Sequence, residues 1–120
     1  MMEFYYDNEN KKVFITKKED LVLNKMTKLE ANTVDASLEK HVPVVSRKDN
    51  TFTIKVGEVE HPMIEEHYIT FICLELLDGY LIKYLKPGMK PEAEFTISSL
   101  DKPVAVYEYC NLHGLWKKDI

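Results

Sequence analysis

At 120 residues, 45% of them apolar, with a net charge of −4, the chain has room for one ordinary domain, or for a domain of about 85 residues with a small appendage. The acidic balance offers no basic face for nucleic acid. No apolar run approaches the roughly 18 residues that would suggest a membrane span, and "MMEFYYDNENKK" lacks the apolar region of a secretory leader, so the cytoplasm is the expected compartment. Two cysteines, Cys73 and Cys110, are too few for a disulfide scaffold and are expected as thiols.

In chain order, residues 1–36 are charged and polar ("DNENKK", "TKKED"), broken by short apolar pieces such as "VFI" and "LVL". They read as a small N-terminal β module with little core of its own. From Leu38 the pattern turns to strands. "TFTIKV" (51–56) alternates with Phe52, Ile54 and Val56 on one face, the period of a half-buried strand. "HYITFICLELL" (67–77) is nearly all apolar or β-favouring, as a strand covered on both faces would be; parity there places Cys73 with His67, Ile69 and Phe71. Asp78-Gly79 marks a hairpin before "YLIKYL". "KPGMKP" (86–91) is a turn, "EAEFTI" (92–97) a further alternating strand, and "VAVYEYC" (104–110) the last. No 3.6-residue apolar stripe lasts long enough for a helix. About seven short strands imply an all-β fold, a seven-stranded sandwich of immunoglobulin-like topology.

The four histidines, His41, His61, His67 and His113, stand in "LEKHVPV", "VEHPMIEEHYI" and "CNLHGLW". A single histidine at a strand end is ordinarily a hydrogen-bonded polar residue, and neither H-x5-H nor C-x-x-H is specific alone. The pattern gains weight because every histidine falls at a loop-strand junction, and loops at one end of a sandwich cluster in space. With Cys110 they make five candidate donors, one more than closed tetrahedral zinc takes. That number favours a five-coordinate redox metal with one free position. Blue copper also uses histidines and a cysteine, but it wants a methionine soon after the last histidine, and "HGLWKKDI" has none. Cys73, in mid-strand, reads as a structural thiol; Trp116 and Tyr109 read as packing residues.

Four segments, "EKHVPV", "HPM…HYI", "LKPG" and "YCNLHGLW", resemble the superoxide reductase family of desulfoferrodoxin and neelaredoxin, in order and spacing, from about Asn32 to Lys117. The resemblance implies a mononuclear non-haem iron centre, Fe(2+)/Fe(3+), one per chain, in an immunoglobulin-like sandwich. His41, His61, His67 and His113 would supply the equatorial nitrogens and Cys110 an axial thiolate, leaving the sixth position for superoxide. The implied activity is one-electron reduction of superoxide to hydrogen peroxide. Lys40 would then attract the anion and Glu39 would close onto the ferric form. The thiolate would tune the iron, with backbone N–H groups near Leu112 and His113 directed at the sulfur.

The chain departs from two-iron relatives at its start, where "FYYDNENKKVF" replaces a cysteine pair and no cysteine precedes Cys73. Residues 1–36, ending in "MTKLEANTVDA", are therefore expected to be a desulforedoxin-like module that has lost its metal. Residues 37–120 are the expected catalytic domain. No second iron centre is expected; rubredoxin is the implied electron donor and a homodimer the implied assembly. Two other readings of the residues are a non-catalytic sandwich interaction module and an electron-transfer metalloprotein.

Overall fold

In a computed structural model, which describes residues 1–17 and 25–120, the chain divides into two compact units, Met1–Glu30 and Ala31–Ile120. The "LVL" piece at 21–23 lies outside the described residues.

The first unit is a three-stranded antiparallel sheet in the order β2-β1-β3, from β1 (Glu3–Asp7), β2 (Lys12–Thr16) and β3 (Met26–Lys28). Aromatic and β-branched residues in "EFYYD" and "KVFIT" suit the pleated backbone. The β1–β2 turn is tied by Asp7, whose two carboxylate oxygens accept from the Glu9 N–H at 2.9 Å and the Asn10 amide at 2.6 Å.

The second unit begins with α1 (Leu38–His41) and continues through β4 (Pro43–Lys48), β5 (Thr51–Val56), β6 (Ile69–Leu76), β7 (Gly79–Tyr84), β8 (Glu92–Thr96), β9 (Pro103–Cys110) and β10 (Gly114–Asp119). Its strands form two antiparallel sheets, β4-β5-β8 and β10-β9-β6-β7. This is the seven-stranded immunoglobulin-like sandwich expected from the strand pattern. Compared with the constant-type arrangement, the fourth strand β7 pairs with β6 instead of β8. Phe52, Ile54 and Val56 of β5 meet Ile69, Ile72 and Leu74 of β6, with Phe95 and Val106, in one buried cluster. Ahead of α1, Asn32 is bound to β10: its N–H donates to the Leu115 carbonyl and its Oδ1 accepts from the Lys117 N–H. No helix among the described residues is long and apolar enough to cross a membrane.

β9, expected to be the last strand, is followed by β10, which pairs with it, and three local details also differ from the sequence reading. The β6–β7 turn is Leu77–Asp78, closed by the pair Leu76 and Gly79, so Gly79 opens the strand. Strand parity fails in β6, because the register slips between Ile69 and Phe71. Ile69, Ile72 and Leu74 therefore share the core, while Phe71 and the fully buried Cys73 turn to the opposite face. Third, Leu38–His41 make one helical turn, closed by the Val42 N–H on the Leu38 carbonyl at 2.9 Å. Four residues are too few to show a period.

Candidate metal centre

Each histidine is held by its own loop. His41 ends α1 and donates Nδ1–H to the Ser37 carbonyl at 2.7 Å. His61 follows β5 and donates Nδ1–H to the Pro62 carbonyl at 2.7 Å. His67 closes a small bridge with Ile64 before β6. His113 lies in the turn between β9 and β10, three residues beyond Cys110, the last residue of β9.

These loops converge. The ring centroids of His41–His61, His61–His67, His67–His113 and His113–His41 are 4.7, 4.6, 5.0 and 4.9 Å apart, each pair nearly perpendicular, while His41–His67 across the middle is 6.4 Å. Four imidazoles thus stand near the corners of a shallow square. One donor atom from each of His41, His61, His67 and Cys110 lies within 4.8 Å of the others. His113 joins them through Nδ1, 3.1 Å from His41 Nε2 and 3.9 Å from Cys110 Sγ.

His41 and His61 each use the Nδ1 proton on a carbonyl, so their Nε2 atoms carry lone pairs, yet these face each other at 3.2 Å. A proton on His113 Nδ1 can serve His41 at most. His67 Nε2 is buried and has no hydrogen-bond partner. An imidazolium does not relieve this at neutral pH, because burial lowers the pKa of His41 and His67 and brings that of His61 down to about 4, with the neighbouring histidines adding to the shift. Converging lone pairs in a buried site are what a cation satisfies. Four imidazoles and a sulfur suit a single iron centre.

The sulfur is prepared in the same way. Burial raises the pKa of Cys110, while the backbone N–H groups of Leu112 and His113 act on it in the opposite sense, as donors to the thiolate. A metal would supply the remaining charge that makes the thiolate stable.

Lys40 and Glu39 are neighbours on α1 but line different spaces. Lys40 lines a cleft of about 450 Å³ together with His61 and Met63. Its charge is among those that lower the pKa of His41 and His67, after burial and the other histidines. Glu39 lines a separate groove of about 690 Å³ with Val44, Arg47 and Lys118.

Sequence reasoning missed three supports. Asn111 clamps the loop that carries His67: its Oδ1 accepts from the Tyr68 N–H at 2.9 Å and its amide donates to the Glu66 carbonyl at 3.0 Å. Trp116, expected only to pack, stacks on His41 at 5.0 Å and donates from Nε1 to the His113 carbonyl at 3.0 Å. It braces two corners of the square. Gly57, at φ +84°, lets the chain pass against α1, where a Cβ would stand 2.7 Å from the Glu39 carbonyl oxygen; any side chain would displace the turn that bears Lys40 and His41. An asparagine beside a turn and a glycine before a loop were visible signals; what they hold was not.

The family model described as desulfoferrodoxin matches residues 33–119. The chain belongs to that family. Desulfoferrodoxin of Nitratidesulfovibrio vulgaris is 50% identical over 95 residues, which cover 78% of this chain and 73% of that protein. Among solved structures, the superoxide reductase from Treponema pallidum superposes with a TM-score of 0.86 at 32% identity, covering 99% of both chains. The one-iron superoxide reductase from Giardia intestinalis aligns at a TM-score of 0.58 and 34% identity, over 68% of this chain and 97% of its own. Family membership places the chain among the oxidoreductases.

Proposed function

We propose that the chain is a superoxide reductase: one superoxide, one electron and two protons yield one hydrogen peroxide. His41, His61, His67 and His113 would hold one iron through nitrogen and Cys110 through sulfur. The observation that carries this reading is the square of imidazoles in which the His41 and His61 Nε2 atoms turn lone pairs on each other and His67 Nε2 has no partner. Iron, when bound, supplies the electron and is recharged by a donor.

The chain's own residues do the rest. Carbonyls of Ser37 and Pro62 hold His41 and His61 in the tautomer whose Nε2 faces inward. The N–H groups of Leu112 and His113 favour sulfur as thiolate. Lys40 draws the anion: a cation about 4 Å from an anion contributes roughly 4 kcal/mol at an effective dielectric near 20. Glu39 is the carboxylate assigned to the oxidised resting state. It lines the groove beyond α1 here, so that role requires its side chain to turn toward the centre.

With no cysteine before Cys73, the N-terminal sheet is a desulforedoxin-like module without its metal, and the chain carries one iron. Electrons then pass directly from an external donor, for which we assign rubredoxin. We assign a homodimer and a cytoplasmic location.

Anaerobic reconstitution tests the reading. About one iron per chain, with peroxide formed from superoxide and no dioxygen evolved, is the expected result. Iron uptake with no peroxide would leave an electron carrier, and no iron uptake would leave a plain interaction module. Lys40→Ala should retain iron and slow the reaction with superoxide roughly tenfold at low salt; an unchanged rate removes Lys40 from steering.

A further inference from the structure

The cleft that Lys40 shares with His61 contains two further charges. It is lined on one side by Val59, Glu60 and Met63 and on the other by the "KPGMKP" loop, from which Lys90 faces the same space. Two backbone features hold that loop in place. The Gly88 N–H donates to the Met63 carbonyl at 2.8 Å, and the Met89 N–H donates to the Lys86 carbonyl at 3.1 Å. Gly88 takes φ +90°, which returns the loop toward the cleft. Neither Lys40, Lys90 nor Glu60 forms an ion pair among the described residues. The cleft therefore presents two cations and one carboxylate directly to solvent, on a chain whose net charge is negative.

We propose that this cleft is the approach path of the anionic substrate, and that Lys90 is a second steering cation whose charge offsets Glu60 at the entrance. The inference rests on the reading of the site as a superoxide reductase. Without Lys90, Lys40 and Glu60 would nearly cancel at long range, and the anion would meet a neutral cleft on an acidic protein. With it, the cleft keeps a net positive charge that can focus an anion on the histidines. Lys90 touches neither the inward ring nitrogens nor the sulfur; it acts on the encounter and not on the chemical step.

Opposite signs make the test selective. At low ionic strength, a charge about 10 Å away in water changes an encounter rate by roughly a factor of two. Lys90→Ala should slow the reaction of the reduced, iron-loaded protein with superoxide about twofold. Glu60→Gln should speed it about twofold, and the double variant should return near the starting rate. Both differences should vanish at 1 M salt, where the screening length is only about 3 Å, and Lys90→Arg should behave as the unaltered protein. Azide binding to the oxidised protein, read from its absorption spectrum, provides a measure independent of turnover and should change in the same order. Equal rates and equal azide affinities in all variants, or changes that persist in high salt, overturn the proposal. Failure of the unaltered protein to form peroxide overturns the functional reading instead, and the azide series then decides the steering proposal by itself.

Discussion

The N-terminal sheet and the sandwich solve one problem in opposite ways. Each must fix loops that have too little local structure to fix themselves. In the N-terminal sheet the turn groups find partners among the described residues: Asp7 accepts from Glu9 and Asn10, the Asn8 amide donates to Thr27 Oγ1 at 3.0 Å, and Lys25 pairs with Glu9 at 3.0 Å. In the sandwich the converging groups are left wanting, with His41 and His61 nitrogens opposed at 3.2 Å and His67 Nε2 without a partner. A turn closed by its own hydrogen bonds is complete without an ion. A region that brings lone pairs together only becomes complete with one, so its loops and its cofactor stabilise each other.

The sharpest break of this contrast is at the sulfur. Cys110→Ser should lower peroxide formation by more than about a hundredfold and remove the thiolate charge-transfer colour of the oxidised protein, with the N-terminal sheet unaffected. Far-ultraviolet circular dichroism against iron content separates loss of the centre from loss of the fold.

The next effect concerns pH in the metal-free chain. His61 binds a proton near 6.5 when unfolded and only near pH 4 when folded. Between these values the unfolded state holds more protons, so stability falls as pH drops through that window and this group adds no further loss below about pH 4. The displacement corresponds to roughly 3 kcal/mol, and His41 and His67 act in the same direction. Denaturant titrations from pH 7.5 to 4 measure the slope; bound metal should shift the fall to lower pH, because the ion competes with the protons.

How much of this was legible in the sequence depends on which force places each residue. β5 and β8 show themselves by alternation, since one face of each is core and the other solvent. The five candidate donors stood out only together, because every histidine of the chain falls at a loop-strand junction and Cys110 lies three residues from one of them. The face assignment in β6 fails at Thr70, the extra residue between the Ile69 and Phe71 pairings, because a bulge leaves no mark in a run that is nearly all apolar or β-favouring. The α1 turn was too short to register. Trp116 and Asn111 were seen as residues but not as supports, since their partners, His41, His113, Glu66 and Tyr68, are brought to them only by the tertiary fold.

Glu108 sharpens the comparison within the sandwich itself. It lies in β9 opposite Trp116 and Ile72, fully buried, with neither carboxylate oxygen hydrogen-bonded. Burial raises its pKa well above the ordinary value, so the folded state keeps a proton that the unfolded state releases. Its contribution to stability therefore declines as pH rises above about 4.5. Glu108→Leu should raise stability at pH 8 by roughly 2 kcal/mol, and by less at pH 5. A gain that is the same at both values would mean that the carboxyl group stays ionised in the core.

The smallest expected effect belongs to the self-sufficient sheet. Asp7→Asn keeps the size of the side chain but removes its charge and exchanges one acceptor oxygen for a donor, so the turn can no longer accept from both Glu9 and Asn10. The Asn10 amide, the largest cause of the lowered Asp7 pKa, loses its partner first. Amide hydrogen exchange at Glu9 and Lys11 should become several-fold faster, while iron content and peroxide formation stay as they were. In the unaltered chain the same loosening should appear only as pH falls below the ordinary carboxylate range, because the depressed pKa keeps the charge in place down to lower pH. Slow exchange preserved in the variant would show that strand pairing alone holds the turn, and the contrast between a region closed by its own hydrogen bonds and one closed by an ion would then rest on the sandwich only.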